Sequence, residues 1–176
     1  MPELSADSTD WIDVVAAPPE RQATVENLLE FYAYDFSEYL ELPVGEDGRF
    51  GYKYLSAYWT VEGRHPFLIE RNGILAGVIL VRRGSMITGD PNVWDMAEFF
   101  VMRRHRRRGV GATAARQIWL AHPGRWEVRV TSKNQPALTF WKRIIGEYVG
   151  QPIDPTQYDE NGSEWNLFAF ESPGAA

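Results

Sequence analysis

Apolar positions recur along the chain with two periods. Val25, Leu28, Leu29, Tyr32 and Phe36 fall three and four apart and line one face of a helix that opens at Pro19 or Glu20 and runs to about Tyr39. Residues 11–17 before it read as a short strand, ended by Pro18 and Pro19. Residues 42–51 carry Pro43, Gly45 and Gly48 and read as loop, and the aromatic stretch 52–61 reads as a second short helix. Residues 66–70 and 74–81 are strand-like, with a hairpin turn at Arg71, Asn72 and Gly73 between them. A strand over 93–102, an alanine-rich helix over 109–121, a strand over 126–131 and a helix over 136–145 follow. Residues 147–150 and 165–170 complete the strands, and the turn-rich stretch 151–162 lies between them. The order of elements predicts an α/β (α+β) fold with one central sheet flanked by helices.

Length and composition narrow the class. At 176 residues the chain suits one domain over 1–176, with 1–10 and 171–176 as loose ends. Hydrophobic residues make up 44% and charged residues 24%, the balance of a globular rather than a disordered chain. Cysteine is absent, which excludes a disulfide scaffold, a thiolate metal site and a cysteine nucleophile, and suits the cytoplasm. The acidic first residues carry no signal pattern, and the longest apolar run, 74–81, is far short of the about 20 residues a membrane span needs. His65, His105 and His122 show no ligand spacing, so no metal is expected.

Net charge is −6, but its distribution matters more. Residues 103–108 hold 5 of the 18 cations, and without them 13 cations face 24 acids, a charge of −11. A chain acidic elsewhere lacks the extended basic face that nucleic acid requires, so one cationic spot points to a single anionic ligand. Nucleic-acid binding through the Arg run is the weaker alternative.

That spot has an arrangement of its own. An apolar strand from Glu98 runs into Arg103, Arg104, His105, Arg106, Arg107 and Arg108, and Gly109, Val110, Gly111, Ala112 and Thr113 then open a helix. The first turn of a helix presents unpaired N–H groups and a positive dipole end, and glycines let an anion approach the backbone. The Walker pattern of P-loop nucleotide hydrolases and the dinucleotide Gly-x-Gly-x-x-Gly are both absent. The spacing is instead Arg106-x-x-Gly109-x-Gly111. After the next strand comes Asn134-x-x-Ala137-x-x-Phe140-Trp141, followed by Gly146. Taken alone, Asn134 reads as a helix cap, Phe140 as core, and Trp141 as either core or ligand contact.

In order and at this separation the two motifs resemble those of the GNAT N-acetyltransferase family, best over residues 74–150. The resemblance implies a mixed, mostly antiparallel sheet splayed between its middle strands, with acetyl-CoA as co-substrate. It implies pyrophosphate on the Arg106–Thr113 stretch, pantetheine amides paired with Val101 and Arg103 beside Met102, and contacts to the same arm from Asn134, Phe140 and Trp141. It makes the Val101 N–H the oxyanion donor. It also implies an amine acceptor, small or protein-borne, and raises a homodimer, for which the strand 165–170 is the candidate.

Acetyl transfer to an amine needs that amine neutral, and a lysine-like amine has a pKa of about 10. Three acids stand in or beside the apolar strands as candidate bases, in the order Glu98, Glu127, Asp95. Many family members place a tyrosine hydroxyl where this chain has Trp141, whose indole is no proton source. The aromatic and acidic front helix offers Tyr32, Asp35 and Tyr39 to a cationic acceptor. The rival reading is a relative that binds acetyl-CoA without turnover.

Overall fold

The computed structural model describes residues 10–174. Strand β1 (Ile12–Ala16) leads through a turn of 3-10 helix into α1 (Gln22–Phe36) and, after a loop, the single turn α2 (Ala57–Thr60). Strands β2 (Arg64–Arg71), β3 (Ile74–Arg83) and β4 (Trp94–Val101) form a meander. Helix α3 (Val110–Ala121), strand β5 (Gly124–Thr131), helix α4 (Gln135–Val149) and the hairpin β6 (Thr156–Glu160) and β7 (Ser163–Ser172) follow. The seven strands make one sheet in the order β1-β2-β3-β4-β5-β7-β6. Every pairing is antiparallel except that of β4 with β5. Among the described residues no helix is long and apolar enough to cross a membrane.

The helices cover both faces because the strands are apolar on both. Leu68, Val78, Leu80 and Phe100 meet Val25, Leu28 and Leu29 of α1 and Tyr58 of α2 on one face. Ile69, Ile79, Trp126 and Phe168 meet Ile118 and Trp119 of α3 and Ile144 and Ile145 of α4 on the other. For α1 the apolar positions Val25, Leu28, Leu29 and Tyr32 read from the sequence are thus the ones packed on the sheet.

Several boundaries differ from the sequence reading. Helix α1 stops at Phe36. Residues 147–149 are the last turn of α4 and not a strand, because Tyr148 goes on packing against the core and Gly150, at φ 75°, ends the helix in the left-handed conformation. The stretch 151–162 contains β6. Glu171 and Ser172 belong to β7, and Ser172 Oγ donates to the Trp119 carbonyl at 2.7 Å. Asp10 is held by Arg71 and Asn72, while residues 1–9, 175 and 176 lie outside the described residues. The strand over 165–170 is bonded to β5 on one side and β6 on the other, so it offers no free edge for a dimer, and the sheet's edges are β1 and β6.

Candidate active site

The site begins where the sheet fails to close. Only Trp94 opposite Trp126 and Asp95 opposite Glu127 join β4 to β5, and beyond them the strands part. Ala97 is an extra residue on β4, since Leu80 faces Glu98 while Val81 faces Met96. Further along, Gly77 of β3 lies so close to β4 that an added Cβ would sit 2.0 Å from the Phe100 carbonyl oxygen. That carbonyl is therefore on the β3 side, and a planar trans peptide puts the Val101 N–H on the opposite side, facing the gap. The Met102 N–H returns to Ala76 O at 2.8 Å, so the Val101 carbonyl also faces the gap, where Arg106 Nε donates to it at 2.7 Å.

The chain leaves β4 through one turn of 3-10 helix, Arg103–His105, with His105 buried. Arg107 at φ 60° and Gly109 at φ 78° are left-handed, and together they swing the chain into α3. Thr113 N–H bonds to Gly109 O at 3.0 Å and is spent inside the helix, whereas those of Val110, Gly111 and Ala112 precede the first helical carbonyl. A Cβ on Gly111 would stand 3.1 Å from Phe140 Cζ, so the start of α3 rests on α4 at that ring. Asn134 caps α4, its Oδ1 accepting from Ala137 N at 3.1 Å.

These parts line one cavity of about 430 Å³. Val101, Arg103, Arg106, Arg107, Gly109, Gly111 and Ala112 come to it from β4, the loop and α3. Asn134, Phe140 and Trp141 come from α4 and the turn before it, and Tyr32, Asp35 and Tyr39 from α1 and the turn after it. Met102, Arg108, Val110 and Thr113 do not line it. Phe140 departs from the core reading: it is half-buried at the cavity, while its neighbour Trp141 is buried and meets Phe99 edge-on at 4.9 Å between centroids.

None of the three candidate bases lines the cavity. Asp95 is fully buried, and its Oδ2 takes Arg82 at 2.7 Å through Nε and 2.6 Å through Nη2, with Arg129 at 3.9 Å. Glu127 accepts from Ser85 Oγ at 2.7 Å, and that hydroxyl in turn accepts the N–H groups of Ile87 and Thr88, so the carboxylate anchors the β3–β4 turn. Glu98 is different. Tyr52 Oη donates to its Oε1 at 2.8 Å, the Tyr32 hydroxyl faces the same carboxylate, and burial pushes its pKa up more than the two hydroxyls pull it down. Of the two tyrosines that line the cavity, Tyr32 and not Tyr39 has its hydroxyl turned toward Glu98.

Asp35 is not open to a cationic acceptor. Its Oδ1 takes Arg103 Nε at 2.9 Å and Nη2 at 2.8 Å, and its Oδ2 takes Arg106. Burial raises the Asp35 pKa, but the two arginines outweigh it and leave the carboxyl below its ordinary value. The pairing spans 68 and 71 residues of sequence and had no local signal. Tyr52 likewise lies in the aromatic stretch 52–61 with nothing local to single it out, whereas Gly77 stands out as the single break in the longest apolar run.

The family model described as Acetyltransferase (GNAT) family matches residues 26–146. Among solved structures, an acetyltransferase from Thermus thermophilus superposes with a TM-score of 0.66 at 15% identity, over 91% of this chain and 96% of that one. An N-acetyltransferase from Staphylococcus aureus Mu50 gives 0.64 at 13% identity, over 90% and 100%. Arabidopsis thaliana NAA60 in complex with a bisubstrate analogue gives 0.59 at 15%, over 92% and 98%. At such identities the likeness is one of fold. No curated protein sequence matches the chain.

Proposed function

The chain belongs to the GNAT acetyltransferase family, and on that premise we propose that it transfers an acetyl group from acetyl-CoA to a primary amine by direct attack, in a cytoplasmic setting. One observation carries the reading. A single cavity joins the Val101 N–H in the sheet gap to the cationic start of α3.

The residues present suit the co-substrate. The arginines of the loop and the free N–H groups of α3 suit a pyrophosphate, and Asn134 and Phe140 line the way from there to the gap. At the gap the Val101 N–H is a fixed donor for the oxygen that gains charge when the amine attacks the thioester carbon. Glu98 is the base we assign, since burial has raised its proton affinity toward the range a base needs. Asp95 and Glu127 are engaged elsewhere and hold the closed end of the gap. Trp141 supplies no proton, and a thiol with a pKa of about 8.5 can leave as its anion. Tyr32 and Tyr39 line the side from which an amine, small or protein-borne, would enter.

The absence of every candidate base from the cavity wall favours a second reading, a protein that binds acetyl-CoA without turnover. Calorimetric titration with acetyl-CoA followed by a thiol-release assay over a panel of primary amines separates the two. Ala112→Glu is the control: an acid in the first turn of α3 suits the helix dipole but repels phosphate. Binding by the wild type that the variant loses supports the site, and thiol release supports the transferase. A folded wild type that binds no acetyl-CoA overturns both readings.

A further inference from the structure

We propose that Tyr32 is a catalytic residue, its hydroxyl relaying a proton between the acceptor amine in the cavity and Glu98 behind it. The proposal rests on the transferase reading above. Three observations meet on this side chain. Tyr32 lines the cavity and Glu98 does not. The Tyr32 ring packs on Phe100, two residues on from Glu98 and on the same face of β4, with its hydroxyl turned toward the carboxylate, whose Oε1 accepts from Tyr52 at 2.8 Å. The position on α4 that would carry a second hydroxyl is Trp141, which is buried against Phe99 and Trp119. A base that cannot touch the substrate needs an intermediary with both a donor and an acceptor, and a phenol has both.

The ring is well fixed for this. It packs on Phe36 of its own helix at 5.4 Å and on Phe100 of β4 at 5.9 Å between centroids. Burial raises the Tyr32 pKa well above its usual value, so the residue acts as a neutral phenol that passes a proton through rather than as a phenolate. Glu98 is faced by Tyr32 of α1, Tyr52 of the loop before α2, Tyr58 of α2, Arg82 of β3, Asp95 of β4 and Arg129 of β5. Arg82 is paired with Asp95 at 2.6 Å, and Arg129 stands 3.9 Å from Asp95 and faces Tyr158, so the hydroxyls are the direct partners of Glu98.

The acceptor enters as an ammonium ion. Its proton passes to the Tyr32 oxygen while the Tyr32 hydroxyl proton passes to Glu98, which leaves a neutral amine and a protonated Glu98. The amine lone pair forms the N–C bond to the thioester carbon, and the carbonyl pair moves onto oxygen at the Val101 N–H. As that pair returns, the C–S bond breaks with its electrons on sulfur, and the surplus proton on nitrogen goes to the thiolate. The products are amide, free thiol and protonated Glu98, which gives its proton to solvent. An amine already neutral in solution skips the relay.

The test is Tyr32→Phe in the full chain, with Glu98→Gln beside it. Acetyl-CoA affinity is read by calorimetry. Thiol release is read across pH with glycinamide and with 2,2,2-trifluoroethylamine, which reaches neutral solution already unprotonated. The expected result is unchanged acetyl-CoA binding and a loss of about a hundredfold in kcat with glycinamide, the usual size of a general-base contribution. The rise of rate with pH that marks Glu98 ionisation flattens in both variants, and the loss is much smaller with trifluoroethylamine. A Tyr32→Phe enzyme as active as the wild type, or one equally slowed with both amines and keeping the pH rise, overturns the relay and leaves the transferase standing. A wild type that binds acetyl-CoA and acetylates neither amine overturns the transferase reading and the relay with it.

Discussion

Glu98 sits under opposed demands. Burial destabilises the charged carboxylate, and that same burial raises its proton affinity, which is what the proposed base requires. Because its folded pKa is raised, the folded state holds the proton more tightly than the unfolded chain. Stability therefore falls as pH rises from the ordinary carboxylate value through the folded one. Glu98→Gln removes the penalty, and it should melt higher than the wild type at neutral pH while losing transfer, with the difference closing in acid below the ordinary carboxylate value. Paired melting curves at the two pH values check this. The residue itself was legible, since an acid in an apolar strand stands out. Asp95 and Glu127 show the same pattern, yet one is an ion-pair partner and the other anchors a turn. Strict alternation would put 95 and 98 on opposite faces of β4; the bulge at Ala97 sets them opposite Arg82 and Leu80, two residues apart on β3 and so on one face. A bulge and partners 46 and 66 residues away leave no local trace, so rank among the three acids had to wait for the fold.

Between elements, two contacts govern the site. Asp35 ties α1 to the arginine loop and occupies Arg103 and Arg106 as an anion would. Asp35→Asn should bind acetyl-CoA more tightly by calorimetry, because the competing charge is gone. It should lose about 1 kcal/mol of stability at neutral pH, the scale of a largely exposed ion pair, since both arginines reach solvent. The Asp35 pKa is depressed in the fold, so that contribution is present above the ordinary carboxylate value and disappears as pH falls through the folded one. Gly77→Ala acts on the other contact. A methyl group 2.0 Å from the Phe100 oxygen forces β3 and β4 apart where Val101 presents its N–H. Overpacking of this kind costs about 1–3 kcal/mol, to be read from the urea midpoint, and acetyl-CoA binding should weaken in the same variant. At this scale the strand, loop and glycine-opened helix were legible because each depends on local residue types. The end of α4 was not: Glu147, Tyr148 and Val149 suit a strand, and long-range contacts keep them helical, Tyr148 packing against Trp119 and Phe170 and bonding Ser172, and Glu147 pairing with Arg116.

Across the molecule the sheet is two blocks, β1 to β4 and β5 to β7, joined by two residue pairs and opening beyond them. A ligand seated in the opening touches α1, β4 and α3 on one side and α4 on the other, so it bridges the blocks. Binding to the folded chain alone should stabilise it by about 2.7 kcal/mol at a hundredfold excess over Kd. Amide exchange should slow in β4, β5 and the first turn of α3 together. Charge weighs against nucleic acid as the occupant of the arginine loop. Asp35 already draws two of its five arginines inward, and the rest of the chain is acidic, so a duplex would meet three cations in a repelling field. Melting curves with acetyl-CoA, with a DNA duplex and with both, at low and physiological salt, put this to the test. The expected outcome is a shift with acetyl-CoA that the duplex neither reproduces nor reduces. A shift with DNA that fades steeply with salt and competes with acetyl-CoA would reassign the loop to a polyanion and leave the sheet gap without its ligand.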